Sequence, residues 1–160
     1  MSEPPDVNIR SPSYFIARSW ATCGKCRKRT TVVALAVPPG HEVFDAEAED
    51  HAWQVSVHNA FLFHIDYLSA GIRRRMDDWT PMFQRGPSET DGGPGFSNHC
   101  ERCGCRLEDD GLFCEPEAAF FPVSDAMAKT ILLTPVNEPF RALVGGYCPE
   151  PEFFDAISRD

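Results

Sequence analysis

With 160 residues, 42% of them hydrophobic, the chain can build one core of ordinary size but not two independent domains. It has no apolar run of about 18 residues and no export-type leader in MSEPPDVNIRSPSYF, so a cytoplasmic protein with no membrane association is expected. The formal charge of −9 opposes the long-range attraction to phosphate behind most non-specific nucleic-acid binding, which disfavours nucleic acid and favours a protein partner.

Residues 1–13 hold three prolines and little apolar material, and read as a flexible tail ahead of a single domain over 14–160. SYFIARSW leads into CGKC, and RTTVVALAVPPG then reads as a strand stopped by Pro38, Pro39 and Gly40. HEVFDAEAEDHAW carries Glu42, Asp45, Glu47, Glu49 and Asp50, which suits an exposed connection. NAFLFHIDYL alternates Phe61, Phe63, Ile65 and Tyr67 with Leu62, His64 and Asp66, the period of a strand with one buried face. Ser69 can cap a helix through AGIRRRMDDW, and QRGPSETDGGPGF, residues 84–96, reads as a mobile loop rich in turn residues. Ser124 can cap a second short helix, ILLTPV and FRALVGGY read as strands, and PEPEFFDAIS ends the chain as a helical turn. The expected class is therefore α+β: a small antiparallel sheet with zinc-ribbon-like knuckles and a few short helices.

Seven cysteines without an export signal point to reduced thiols, and so to metal binding or burial before disulfides. Cys23 and Cys26 form one C-x-x-C pair, Cys100 and Cys103 a second. Two such pairs supply the four soft ligands of a tetrahedral zinc site, because the two intervening residues let a tight turn aim both sulfurs at one ion. The 73 residues between the pairs are unusual for a compact ribbon. Loop closure, however, costs only about 0.6 kcal/mol per doubling of length, against roughly 10 kcal/mol from a structural zinc ion. A redox dithiol fits less well, since CRKRTTVVAL continues as a strand rather than a helix. Four thiolates also leave no position for a catalytic water, so one structural Zn2+ is the expected cofactor.

Gly104 follows the second pair where a positive φ completes the turn; Arg27 holds that place in the first, so a different or strained turn is expected there. Cys105 is expected to point away from Cys103, and Cys105, Cys114 and Cys148 read as buried or half-buried thiols. His58, His64 and His99 are the possible fourth ligands of a second site, but no spacing selects one. Asp77–Asp78 and Asp109–Asp110 read as solvated pairs, and no nucleophile–base pair, phosphate-binding glycine loop or metalloprotease motif occurs, so an enzyme is not expected.

CGKCRKRTTVVALAV followed by SNHCERCGCRLEDDGLFCEPEAAFFP resembles a group of uncharacterised bacterial zinc-ribbon-like proteins, over roughly residues 20–122. The resemblance implies Cys23, Cys26, Cys100 and Cys103 as ligands and implies no activity. Cys105 and Asp109–Asp110 depart from its pattern. The functional expectation is a zinc-stabilised protein-binding module or regulator, of inhibitor or immunity type, using the acidic face from Glu42 to Asp50. The alternatives are a nucleic-acid-binding ribbon using basic clusters at 25–29 and 73–75, and an unrecognised enzyme.

Overall fold

The computed structural model describes residues 7–44, 53–86, 95–149 and 154–159. Ordered structure reaches back into the stretch read as a tail: Val7 is buried, and β1 runs over Ile9–Ser11. Just before it, the Asn8 amide donates to the Val144 carbonyl at 2.8 Å and accepts from the Val144 N–H at 2.9 Å, extending the ladder with a side chain.

Strands β2 (Tyr14–Thr22) and β3 (Arg29–Val37) form a long hairpin. Every residue of β3 from Val32 to Val37 is buried, which explains why this run shows no alternation: both of its faces are covered. Val33, Leu35 and Val37 enter one cluster, while Val32, Ala34 and Ala36 enter another on the opposite face. Strands β4 (Glu42–Phe44) and β5 (Trp53–Val55) pair with each other, and residues 45–52 of the acidic segment lie outside the described residues.

The expected alternation in β6 (Ala60–Leu68) fails halfway along. His64 has φ 50°, and the register with the late strand Phe140–Pro149 slips between Leu143 and Val144, leaving Asp66 as an extra residue. A left-handed residue and a bulge each turn the following side chains over. Leu62, Ile65 and Leu68 therefore share one cluster, while Phe61 and Phe63 face the other and Tyr67 is 41% exposed.

Helix α1 (Ala70–Trp79) forms where expected and buries Ile72 and Met76, though the Ser69 hydroxyl at its start makes no capping bond. Strands β7 (Phe83–Gly86), β8 (Gly95–His99) and β9 (Arg106–Leu107) follow; β7 and β8 occupy both ends of the expected 84–96 loop, and residues 87–94 lie outside the described ones. A single π-helical turn spans Asp110–Cys114, and α2 (Asp125–Ala128) starts on Ser124, whose hydroxyl accepts from the Met127 N–H. The chain ends with β10 (Leu132–Val136), β11 (Phe140–Pro149), a 3-10 turn at Phe154–Ala156, and β12 (Ser158–Arg159).

The fold class expected from the sequence, α+β with a small sheet, is overturned by the topology. All twelve strands of the described residues join one hydrogen-bonded network, ordered β12-β10-β2-β3-β6-β11-β1-β4-β5, with β8 on β6 and with β7 and β9 on β8. Only β10 and β12 run parallel. The protein is mostly β. Five strands, β1, β4, β5, β9 and β12, are only two or three residues long and have no apolar period of their own, so pairing rather than local pattern makes them strands. One face of the sheet is covered by α1, the other by the π-helical turn, α2 and the 3-10 turn.

Candidate metal centre

Two hairpin tips meet beyond the ends of their strands. The first, Cys23–Lys28, joins β2 to β3; the second, Cys100–Cys105, joins β8 to β9. They are built alike, bond for bond. The Cys23 N–H donates to the Lys28 carbonyl at 2.9 Å and the Cys100 N–H to the Cys105 carbonyl at 2.8 Å. The Arg27 N–H donates to the Cys23 carbonyl at 2.9 Å, and the Gly104 N–H to the Cys100 carbonyl at 2.8 Å. Each leading sulfur also accepts an amide two residues on: Lys25 N–H on Cys23 and Arg102 N–H on Cys100, both at 3.4 Å. Gly104 has φ 78° and Arg27 has φ 64°, so the arginine is forced into the same left-handed turn. The first turn matches the second rather than differing from it, and it carries the strain of a side chain in that conformation.

The sulfurs of Cys23, Cys26, Cys100 and Cys103 all lie within 4.8 Å of one another. Cys23 sits 3.7 Å from Cys103, and Cys26 3.7 Å from Cys100. A tetrahedron with sulfur 2.3 Å from its centre has edges of about 3.8 Å, so the spacing is that of a four-thiolate metal site. Neither pair alone could enclose an ion; the fold brings together what 73 residues of sequence separate.

The knuckle amides prepare the leading cysteines for ionisation. Backbone bonds from Cys26 and Lys25 lower the Cys23 pKa to about 6, and the amides of Cys103 and Arg102 likewise lower Cys100. The Lys28 amide favours the Cys26 thiolate, but burial and the facing thiols of Cys100, Cys103 and Cys23 outweigh it and push Cys26 up to about 11. Crowding four thiols without a counter-charge thus favours ionising only part of the set, and a bound divalent cation would offset the charge of all four thiolates.

Cys105 was expected to point away, yet its sulfur lies 3.3 Å from that of Cys23. The expectation assumed an extended chain from Cys103 to Cys105, whereas Gly104 turns left-handed between them. Burial first, then Cys23 and Cys103, push Cys105 up to about 12, so it remains a thiol able to donate S–H to the Cys23 thiolate. Sequence reasoning missed this neighbour; the signal available was the glycine between the two cysteines.

The hairpins are also fastened without metal. Asn98, buried in β8, donates to the Val33 carbonyl at 2.9 Å and accepts from the Val33 N–H at 2.8 Å. Thr30 Oγ1 accepts from the Glu101 N–H at 3.0 Å.

The remaining sequence candidates fall elsewhere. His99 Nδ1 faces the carbonyls of Ser97 and Met82, at 3.2 and 3.3 Å. His58 is half-buried, its N–H donating to Ser56 Oγ. Asp109 is not solvated: it is buried and accepts the His64 N–H at 2.7 Å, while exposed Asp110 meets His64 Nε2 at 2.9 Å and the Cys114 thiol at 3.7 Å. Asp109 thus braces the left-handed residue of β6. Asp77 and Asp78 are exposed as expected. Cys148 is half-buried as expected and burial pushes its thiol up, whereas Cys114 is exposed, against expectation, and its thiol is raised by partial desolvation and by the neighbouring Asp110 carboxylate.

Of the basic clusters, Lys25, Arg27 and Lys28 are exposed on the first tip, and the Arg29 guanidinium lies 3.8 Å from the Trp20 ring centre. In the second cluster Arg75 pairs with Glu138 at 2.5 Å and Arg73 lies over Phe96, which leaves less of it for a ligand. In the acidic segment Glu42 is bonded to Arg10 at 2.9 and 3.3 Å, and Asp45 to Asp50 lie outside the described residues.

No protein-family model matches this chain, and neither curated proteins nor solved structures gave a match. The cysteine cluster agrees with a zinc-ribbon-like arrangement, and no relative stands behind the narrower resemblance to a bacterial group. Among the described residues no helix is long and apolar enough to cross a membrane.

Proposed function

We propose that this chain is a zinc-stabilised binding module for another protein, in which Cys23, Cys26, Cys100 and Cys103 hold one Zn2+. The observation that carries the reading is the tetrahedral spacing of four sulfurs supplied by two matching hairpin tips. A four-thiolate donor set suits zinc and leaves no open position for water, so the ion's work is to lock the two hairpins together rather than to activate a substrate. The knuckle amides and the Cys105 thiol spread the charge of the thiolates. Elemental analysis of protein purified without added metal tests the assignment. One zinc per chain, with no colour, is expected; a folded chain free of metal, or one carrying iron, overturns it.

A second reading, nucleic-acid binding, is favoured by the Arg29–Trp20 stack beside exposed Lys25, Arg27 and Lys28, since cations interleaved with an aromatic ring suit single strands. It requires affinity for an oligonucleotide that falls steeply with salt. Absent or salt-insensitive binding removes it.

A further inference from the structure

One edge of the sheet stops short. Strand β3 pairs with β2 along Phe15–Thr22, but β10 pairs with the other side of β2 only along Tyr14–Arg18. Before Leu132 the chain leaves the sheet, because the Thr130 and Ile131 amides bond back to Met127 and Ala128 in the turn after α2. Along Ser19–Thr22, therefore, no strand of the described residues occupies the far edge of β2. That edge opens into a cleft of about 400 Å³, bounded on its other sides by Glu117, Ala119, Pro122 and Met127.

A strand edge carries alternating N–H and C=O groups that a single extended chain can pair. Here Gly111 of the π-helical turn and Met127 of α2 line the cleft beside that edge, leaving space for one extended segment in line with β10. The charge of the cleft then selects the segment. Glu117 lines it, and the Glu115 carboxylate lies against Gly111 of the same wall. Trp20, also in the wall, is 44% exposed and already holds a guanidinium against its ring. Glu117 is held at φ 72°, a strained placement that fixes its backbone in the wall.

We infer that the Ser19–Thr22 edge and its cleft form a strand-addition groove for an extended segment of a partner protein, with alternating apolar and basic side chains. The inference rests on the binding-module reading and names the chemistry of its partner. Apolar side chains of the segment enter among Ala119, Pro122 and Met127, basic ones meet Glu117 and Glu115, and main-chain bonds continue the sheet.

The test uses the full zinc-loaded chain and two peptides, (Val-Lys)3 and (Val-Glu)3, with amide hydrogen exchange read residue by residue. (Val-Lys)3 is expected to slow exchange within Ser19–Thr22 at least tenfold, (Val-Glu)3 to bind at least tenfold more weakly, and the exposed variant Glu117→Lys to reverse that preference. Equal protection by both peptides, no protection by either, or an unchanged preference in Glu117→Lys overturns the groove. So does protection of these amides that grows with protein concentration alone, the sign of a second copy, or their protection by a uridine hexanucleotide instead. Zinc content measured on the same sample separates the two readings. A zinc-loaded chain without edge protection sinks the groove alone, while edge protection in protein that purifies folded and without zinc, before any chelation, sinks the clamp and leaves the groove standing.

Discussion

Arg27 and Gly104 hold equivalent places in the two knuckles at nearly the same φ, 64° and 78°. A side chain in that conformation costs about 1–2 kcal/mol, partly offset because glycine loses more freedom on folding. Arg27→Gly should therefore stabilise the protein by roughly 0.5–1 kcal/mol, seen as a higher urea midpoint, and Gly104→Ala should destabilise it by about 1 kcal/mol or more. Equal midpoints for all three proteins would mean that the turns are not strained. Cys105 invites a finer test. Because it contacts Cys23 without belonging to the tetrahedral four, Cys105→Ser should keep one zinc per chain yet weaken affinity about tenfold in competition with a chelator, as loss of an outer-shell partner commonly does. Cys103→Ser should lose the stoichiometric metal. A Cys105→Ser protein devoid of zinc would instead make Cys105 a ligand.

At the scale of elements, the two cysteine hairpins are positioned by a buried amide. Asn98 satisfies both the N–H and the carbonyl of Val33. Removing it strands two buried backbone groups at about 1–3 kcal/mol each, so Asn98→Ala should cost roughly 3 kcal/mol and loosen zinc as well, by misplacing the second knuckle. Destabilisation without any change in zinc affinity would show that the knuckle is placed by other contacts. Much of this site was legible in the sequence, because C-x-x-C spacing is a local property and declares its chemistry without knowledge of the fold. The strand at Arg29–Val37, the helix after Ser69 and the strand at Ala60–Leu68 were legible for the same reason. The extent of the sheet was not. β1, β4 and β12 are strands because distant partners complete them, and the face-switch at His64 depends on Asp109, 45 residues away. Neither leaves a trace in local periodicity.

For the whole molecule, two hydrophobic clusters flank the sheet and contain none of the four candidate ligands. Chelation should therefore lower stability and free the two tips while the strands remain, giving faster amide exchange at residues 23–28 and 100–105 with the far-ultraviolet circular dichroism largely kept. Complete unfolding on chelation would show that the clusters cannot stand without the clamp. Acid acts on the molecule from a second direction. His41 is fully buried, with Nδ1–H donating to the Pro38 carbonyl at 2.8 Å and Nε2 accepting from the Tyr147 hydroxyl at 2.7 Å. Burial lowers its pKa below the usual 6.5, so between the lowered value and 6.5 the unfolded chain binds the extra proton. Stability should be full above about pH 6.5 and fall as pH drops below it, even in metal-free protein where no thiolate–zinc bond is at stake. A flat stability profile from pH 7 to 5 in metal-free protein would exclude that role for His41.

The separation of the two knuckles also sets a timetable. A ribosome adding about 5–20 residues per second needs roughly 4–15 s to pass from Cys26 to Cys100. During that interval Cys23 and Cys26 offer only two of the four sulfurs, on a hairpin whose partner tip after β8 has not yet been made. If the four cysteines hold zinc as proposed, capture is coupled to closure of the sheet rather than to emergence of the first thiols, and a nascent chain halted before residue 100 should not retain the ion.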